Sequence, residues 1–577
     1  MNVTTGTLEP QIARKADRRV PAADRSSPAA VGSRSPRLSR GQWALLYGSF
    51  LISVGLTFDV TSDDPLITLR YAANVVQGYG AVFNSGQHVE GFTSPLHLIF
   101  VIGAYLVPGG HELLKVKLLS LVFGALSLAV ATRLLPAARL PRWGVNVALV
   151  LLGGSWSLAV TSANGLETTL ACFLTTLVLV ELVSGRAMEK PLVAGLAGAG
   201  LVAVRPEGIF VTGCLVLVSA ILEPRAMPLW RRCRWFIGAL AAQVLIEVAR
   251  LAYYGQLLPN TYYAKRGALG ADVHTGVVYL ARLQPGVPEL LFLVQVGIVA
   301  VGAWALARGP LPERRWLYAS VAVVAQVLAI IETGDDWMQG DRFFAPVALV
   351  VAILLTRGVV TLTDGARRRW YSRSRGLFVA ICAGMWLVIA LGVIMPFVEF
   401  HDPVWESHGR FDEASLVASG GYGRLSSVAW PDGAAMLRCV PSGSLVAYSE
   451  IGFVGYERPD LRILDTRGLT DATIAHDAPA AEKAAPGVIE LDWDNPHSAV
   501  GARILTAKPL AVLSFDHEPG RALGRTVLDG SYVLVAQRKV GNLPDLSGSP
   551  HVLYLYERAS EVERGVRVAC SQAGPPA

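Results

Sequence analysis

Charge is scarce in this chain. Of 577 residues only 17% are Asp, Glu, Lys or Arg, while 52% are hydrophobic, and the mean hydropathy is +0.42. Globular domains carry about a quarter charged residues, so an ordinary soluble protein is excluded. Cysteine is scarce too, six in all. Cys172, Cys214, Cys233 and Cys382 lie in or beside apolar segments without metal-ligand spacing and read as packing residues. No internal repeat is visible, which weighs against a transporter built from inverted halves. The formal charge of +6 is spread through short loops rather than gathered in one patch, so it carries no nucleic-acid signal.

What the chain has is apolar runs of about 17–25 residues, the length that crosses a bilayer as helix. The expected spans are 43–58, 116–135, 145–160, 166–183, 192–204, 209–222, 235–254, 290–306, 317–331, 344–360 and 377–397, about eleven crossings by that criterion. The run 95–108 is apolar but short and reads as an interfacial or re-entrant helix. Residues 1–40 are rich in Arg, Ser, Ala and Pro without apolar periodicity and read as a disordered basic cytoplasmic tail. Residues 41–400 make up the membrane part, and residues 401–577 turn soluble in composition.

The positive-inside rule tests the count. With the N-terminus inside, the cytoplasmic loops hold Arg133, Arg139 and Arg142; Arg186 and Lys190; Arg225, Arg231, Arg232 and Arg234; Arg308, Arg314 and Arg315; and Arg367 to Arg369, Arg373 and Arg375. Counting 95–108 as a crossing would reverse them all. The other face then collects Asp63, Asp64, Glu90, Glu167, Arg205, Glu207, Lys265, Asp335, Asp336 and Arg342, from loops at 59–95, 161–169, 205–208, 253–267 and 332–344. Charges beside a membrane are unfavourable unless paired or functional, so this convergence is the main functional signal. The two runs flanking RPEG (205–208) are short, as in a hairpin that ends inside the membrane boundary.

The loop 59–95 is the fullest of these stretches. Leu66, Leu69, Ala73 and Val76 recur at helical spacing behind Asp63 and Asp64, with Arg70 on another face, read as pairing with headgroups or a nearby acid. GYG and NSGQ turns and Glu90 follow. Beyond 400, the stretches 442–456, 461–468, 508–516, 530–537 and 551–559 read as strands and 469–477 as a short helix, making an extracytoplasmic α/β domain. There a disulfide between Cys439 and Cys570 fits an oxidising compartment, though sequence does not give their separation.

Acids and bases gathered on an outer membrane face suit sugar transfer from a lipid phosphate. One carboxylate takes the proton of the attacking hydroxyl, and Arg and Lys hold the anionic leaving group. The motifs DDPLITLRYAANVVQGYGAVFNSGQHVEGFTSPL, SANGLETTL, VRPEG, YYGQLLPNTYYAK and GDDWMQGDRFFAPV, in that order, resemble the GT-C superfamily of polyprenyl-phosphate-dependent membrane glycosyltransferases. Within it they resemble most the terminal arabinofuranosyltransferases of mycobacterial cell-wall synthesis. GFVGYERPDLRILDTRGLTD resembles the wider family instead.

The resemblance implies inverting transfer, arabinofuranose first and mannose or another polyprenyl-linked sugar as the alternative, to a cell-envelope glycan at the outer face of the plasma membrane. A lipid-linked sugar transporter or a non-catalytic envelope protein are the readings from other classes. By position in the motif Asp63 is the expected base, and Asp64 orients the base or the donor. TSDDP is also a good helix start, the structural alternative for this pair. Arg205, Lys265 and Arg342 are the candidate phosphate ligands, against snorkelling or an ion pair such as Arg205 with Glu207. Glu90, Glu167, Glu207, Asn260, Tyr263 and Asp336 are candidate sugar or acceptor contacts, Glu167 alternatively a partner of Arg205. Asp335, Asp336 and Asp341 lack metal spacing and read as a turn, so no metal or other cofactor is expected. Trp337 and Trp405 read as interfacial belt aromatics rather than sugar platforms.

Overall fold

The first helix, Arg40–Gly55, starts at a capping box. Gln42 N–H donates to Ser39 Oγ at 3.2 Å, and Ser39 N–H donates to Gln42 Oε1 at 3.0 Å. This computed structural model describes residues 38–564 apart from 59–61, 267–268, 282, 285–286, 335, 337, 339, 372–373, 402–431, 480–492, 516–525 and 545–549. The expected tail, Asp335, Trp337, Trp405 and Cys570 therefore lie outside the described residues. The described residues from Ser39 onward form one compact unit.

All eleven expected crossings are helical. Among the described residues seven helices are long and apolar enough to cross a bilayer: Glu112–Leu134, Arg142–Asn164, Phe236–Tyr254, Glu289–Ala307, Leu311–Thr333, Ala345–Arg369 and Arg375–Val398. Thr168–Val183, Pro191–Val204 and Gly208–Leu222 are shorter apolar helices, as is Pro95–Leu106, and Arg40–Gly55 has 16 residues. The expected span 145–160 is interrupted at Gly154. Ser155 restarts it as Trp156–Asn164 by accepting the Leu158 N–H at 3.4 Å.

The RPEG hairpin is present. Gly208 N–H donates to the Arg205 carbonyl at 2.9 Å, and a Cβ on Gly208 would meet the Leu201 carbonyl oxygen at 2.7 Å. Only glycine lets the two short helices come this close. The basic loops expected to share one side do touch. Arg315 pairs with Glu223 at 2.7 Å, Arg139 with Glu313 at 2.7 Å, and Arg234 donates to the Met188 carbonyl at 2.9 Å.

The last domain holds a six-stranded sheet ordered β2-β1-β3-β6-β5-β4. Its strands are β1 (Leu445–Tyr448), β2 (Arg462–Asp465), β3 (Ala511–Phe515), β4 (Thr526–Val527), β5 (Tyr532–Pro544) and β6 (Pro550–Arg558). β2, β1 and β3 run parallel, and β6, β5 and β4 continue antiparallel. The stretch 442–456 is not one strand as expected. Its second half is the helix Ile451–Glu457, the connection that parallel β1 and β2 require. Ala472–Asp477 is helical within 469–477.

One buried cluster joins this domain to the loop helix Asp64–Val76. Leu66, Leu69 and Tyr71 of that helix, with Leu98 and Val101, pack with Val446, Ile451, Val454, Ile463 and Leu513. The loop helix is thus the floor on which the sheet domain sits. Cys172, Cys214, Cys233 and Cys382 are free thiols, and Cys439 is disulfide-bonded.

Candidate active site

Five segments far apart in sequence meet at the end of the helix bundle that carries the sheet domain. Asp64 opens the loop helix, Glu167 precedes Thr168–Val183, Arg205 and Glu207 form the RPEG turn, Lys265 ends the helix Asn260–Lys265, and Asp336 and Arg342 precede Ala345–Trp370. Arg342 is the hub. Its Nε and Nη2 donate to the two Asp336 oxygens at 2.5 and 2.9 Å, and its Nη1 reaches Asp64 Oδ2 at 3.4 Å. Arg205 Nε donates to Glu207 at 2.8 Å and its Nη1 to Glu167 at 3.0 Å. Both guanidinium groups lie over the Phe343 ring, at 4.9 Å for Arg205 and 5.3 Å for Arg342.

Two features set this cluster apart from a closed ion-pair network. Arg205 is buried, yet among the described residues its Nη2 has no hydrogen-bond partner. Such a group is unfavourable unless a ligand or water completes it. Lys265 is exposed, yet burial, followed by the like charge of Arg342, holds its ammonium below the ordinary value. His97 is buried beside Glu167.

The other expected residues face elsewhere. Both Asp63 carboxylate oxygens are occupied by the sheet domain, which donates Gly452 N–H at 2.6 Å and Phe453 N–H at 2.7 Å. Burial, then the charge of Glu450, pushes the Asp63 carboxyl well above its ordinary value, while the two N–H groups pull it down. Glu90 holds Arg250 at 2.5 and 3.3 Å, both side chains buried. Burial raises its carboxyl and Arg250 opposes the rise. Asn260 donates to the Gly468 and Leu469 carbonyls at 2.7 and 2.9 Å, and Tyr263 lies 4.4 Å from the His476 ring. Arg70 is buried. It donates to the carbonyls of Phe83, Gly455 and Leu461 at 2.8, 2.9 and 2.7 Å.

Sequence reasoning overlooked Arg250, Phe343 and His97. Arg250 had a signal, because it is a lone cation near the end of the apolar run 235–254, where an ionisable residue demands a partner. Phe343 and His97 had none beyond their place beside motif residues. Among the described residues no three His, Cys, Asp or Glu side chains group to hold a metal ion.

A helical bundle with an acid–base cluster at one end and an α/β domain on top is similar in fold to solved structures of one other protein. ArnT from Cupriavidus metallidurans matches it in the apo state with TM-score 0.52 at 14% identity, covering 92% of this chain and 99% of that one. The same protein bound to undecaprenyl phosphate matches with TM-score 0.50 at 15% identity, over 93% of this chain and 100% of that one. In sequence the chain is similar to two proteins named terminal beta-(1->2)-arabinofuranosyltransferase, as its motifs implied. That of Mycobacterium tuberculosis is 29% identical over 376 residues, 57% of each chain. That of Corynebacterium glutamicum is 28% identical over 410 residues, 64% of this chain and 56% of the relative. The chain thus spans little more than half the length of these curated relatives. Residues 428–554 match a domain of unknown function (DUF8728).

Proposed function

We propose that this protein is an inverting glycosyltransferase that moves a sugar, arabinofuranose, from a polyprenyl-phosphate donor to a cell-envelope glycan. The observation that carries the reading is the unpartnered, buried Nη2 of Arg205, with Lys265 and Arg342 beside it and Asp64 within reach of Arg342. Three cations suit a phosphate oxyanion, and the planar fork of Arg suits two of its oxygens.

In the step, the acceptor hydroxyl oxygen attacks the anomeric carbon and the bond from that carbon to the phosphate oxygen breaks. The electron pair leaves with the phosphate, and the hydroxyl proton passes to a carboxylate. Geometry comes before pKa in choosing that base. Asp64 faces the cluster with its side chain 23% exposed, whereas Asp63 is sealed by two backbone N–H groups. The base is therefore Asp64, and the first choice made by motif position passes to its neighbour. Glu167 and Glu207 hold Arg205 in place, and Asp336 holds Arg342. The phosphate charge is met by side chains, so the transfer proceeds without a metal ion.

The site faces outward, with the N-terminus in the cytoplasm and the sheet domain outside, on the strength of the positive-inside pattern. Arabinofuranose rests on the sequence relatives. Purified protein is given labelled decaprenylphosphoryl-arabinose or decaprenylphosphoryl-mannose with arabinan acceptors. Transfer from the arabinosyl donor, lost in Asp64→Asn, is expected. Transfer from mannose alone would remove the sugar assignment, and transfer surviving Asp64→Asn would remove the base. Introduced cysteines test the orientation: outside labelling at position 333 and none at 368 is expected, and the reverse would invert the topology.

A further inference from the structure

Asp63 supplies the helix cap that the sheet domain lacks. Glu450 stands at the N-cap position of Ile451–Glu457 but makes no side-chain capping bond. The Gly452 and Phe453 N–H groups of that first turn donate to Asp63 instead. Contact is so close that a Cβ on Gly452 would meet the Asp63 carbonyl oxygen at 2.1 Å and its carboxylate carbon at 2.7 Å. Further along the same loop helix, Arg70 donates to Gly455 and Leu461 of the sheet domain. Asn84, past the glycine turn, pairs both ways with edge-strand residue Ile463: it accepts the N–H at 3.0 Å and donates to the carbonyl at 2.8 Å. The two elements share one core.

Consecutive helix positions point about 100° apart, at 3.6 residues per turn. One acid can therefore be tied down while the next faces the cluster. We propose that the domain of residues 428–554 positions the catalytic base: through Gly452 and Arg70's acceptors it grips Asp63 and Arg70, fixing the first turn of Asp64–Val76 and aiming the Asp64 carboxylate at Arg342 and the substrate. Asp63, Arg70 and Gly452 are positioning residues that touch no reacting atom. The proposal rests on the reading of Asp64 as base.

The test uses the full chain in nanodiscs, with transfer kinetics, decaprenyl phosphate binding and amide hydrogen exchange over residues 64–76. Misplacing a reacting group by an ångström lowers rate about 100-fold. Gly452→Ala and Asp63→Ala are each expected to lower kcat about 10- to 100-fold, with donor KM and decaprenyl phosphate binding unchanged and exchange over 64–76 faster. Their double variant should fall no further than the worse single one. Asp63→Asn keeps an oxygen acceptor and should retain more activity than Asp63→Ala. Wild-type kcat in Gly452→Ala would overturn the proposal. So would an Asp63→Asn enzyme as inactive as Asp64→Asn beside an active Gly452→Ala, because that would make Asp63 the base. If wild-type protein transfers from no polyprenyl-phosphate sugar, the functional reading fails, and the exchange measurement alone decides whether the domain holds the loop helix.

Discussion

Replacing Arg205 by lysine isolates what the guanidinium contributes. Arg205 is 4% exposed, with Nε on Glu207 at 2.8 Å, Nη1 on Glu167 at 3.0 Å and Nη2 open. Alanine here would leave two acids without their cation, a change that destabilises by about 3–5 kcal/mol for a buried pair, against a total stability of about 5–15 kcal/mol. Lost folding would then masquerade as lost catalysis. Lysine keeps the charge but not the fork, so one ammonium cannot serve both carboxylates and a phosphate oxygen together. Losing one preorganised donor to a developing anion is worth about 3–4 kcal/mol, so kcat/KM for the donor should fall about 100- to 1000-fold. The assay is single-turnover transfer from labelled donor at saturating acceptor, with thermal unfolding alongside. A lysine variant that turns over within about threefold of wild type, a difference of only about 0.7 kcal/mol, with an unchanged unfolding temperature would show that Nη2 does not meet the phosphate.

Glu90→Gln should act on the fold instead of the chemistry. Arg250, 7% exposed, would lose one of two charged partners and keep Glu247 at 2.9 Å, so a loss smaller than the about 3–5 kcal/mol of a fully broken buried pair is expected in thermal unfolding; an unchanged unfolding temperature would contradict it. The Asp465 carboxyl, buried and accepting N–H from Arg467 and Thr470, is pushed up to about 6, chiefly by burial. A raised carboxyl pKa stabilises the fold fully below the unfolded value, near pH 3.8, and the contribution is lost as pH rises through about 6. The amount is about 3 kcal/mol at most. Wild-type unfolding temperature should therefore decline across that window, and Asp465→Asn should flatten the decline whatever its absolute stability. EDTA should leave transfer unchanged; a loss restored by Mg²⁺ or Mn²⁺ would return the acids of 335–341 to consideration as ligands.

Apolar length was enough to place the helices. The bundle needs no more than that, because each span follows from local composition. The meeting of Asp64, Glu167, Arg205, Asp336 and Arg342 was legible for the same reason: every one sits where a helix ends on a common side. What was not legible depends on contacts across the chain. Asp63 and Asp64 are indistinguishable in pattern, and only Gly452, 389 residues away, decides which is tied and which is open. IGFVGY reads as strand from its apolar and aromatic residues, but it caps on Asp63 and bridges two parallel strands as helix. The pairing of Glu90 with Arg250 was not legible either, because the two lie 160 residues apart.

On the proposed reading, the charge count explains why the base and the phosphate ligands should share Arg342. A donor phosphodiester carries one negative charge, and the released phosphate carries up to two. An ionised Asp64 becomes neutral in the same step, so the total charge of the site is conserved while its position moves. Arg342 Nη1 lies 3.4 Å from Asp64 in the resting state, long for a charge-assisted bond. Once Asp64 takes the proton, that nitrogen loses its carboxylate and is free to meet the oxygen that has gained charge. A structural ion-pair network would instead tie every donor to a fixed acid. Asp336 performs that task for Nε and Nη2 at 2.5 and 2.9 Å, which leaves Nη1 as the one arm of Arg342 able to change partners. Asp336→Asn should therefore impair the fold and donor binding together, whereas Asp64→Asn should abolish turnover and leave decaprenyl phosphate bound. Equal loss of lipid binding in both variants would mean that the cluster is structural.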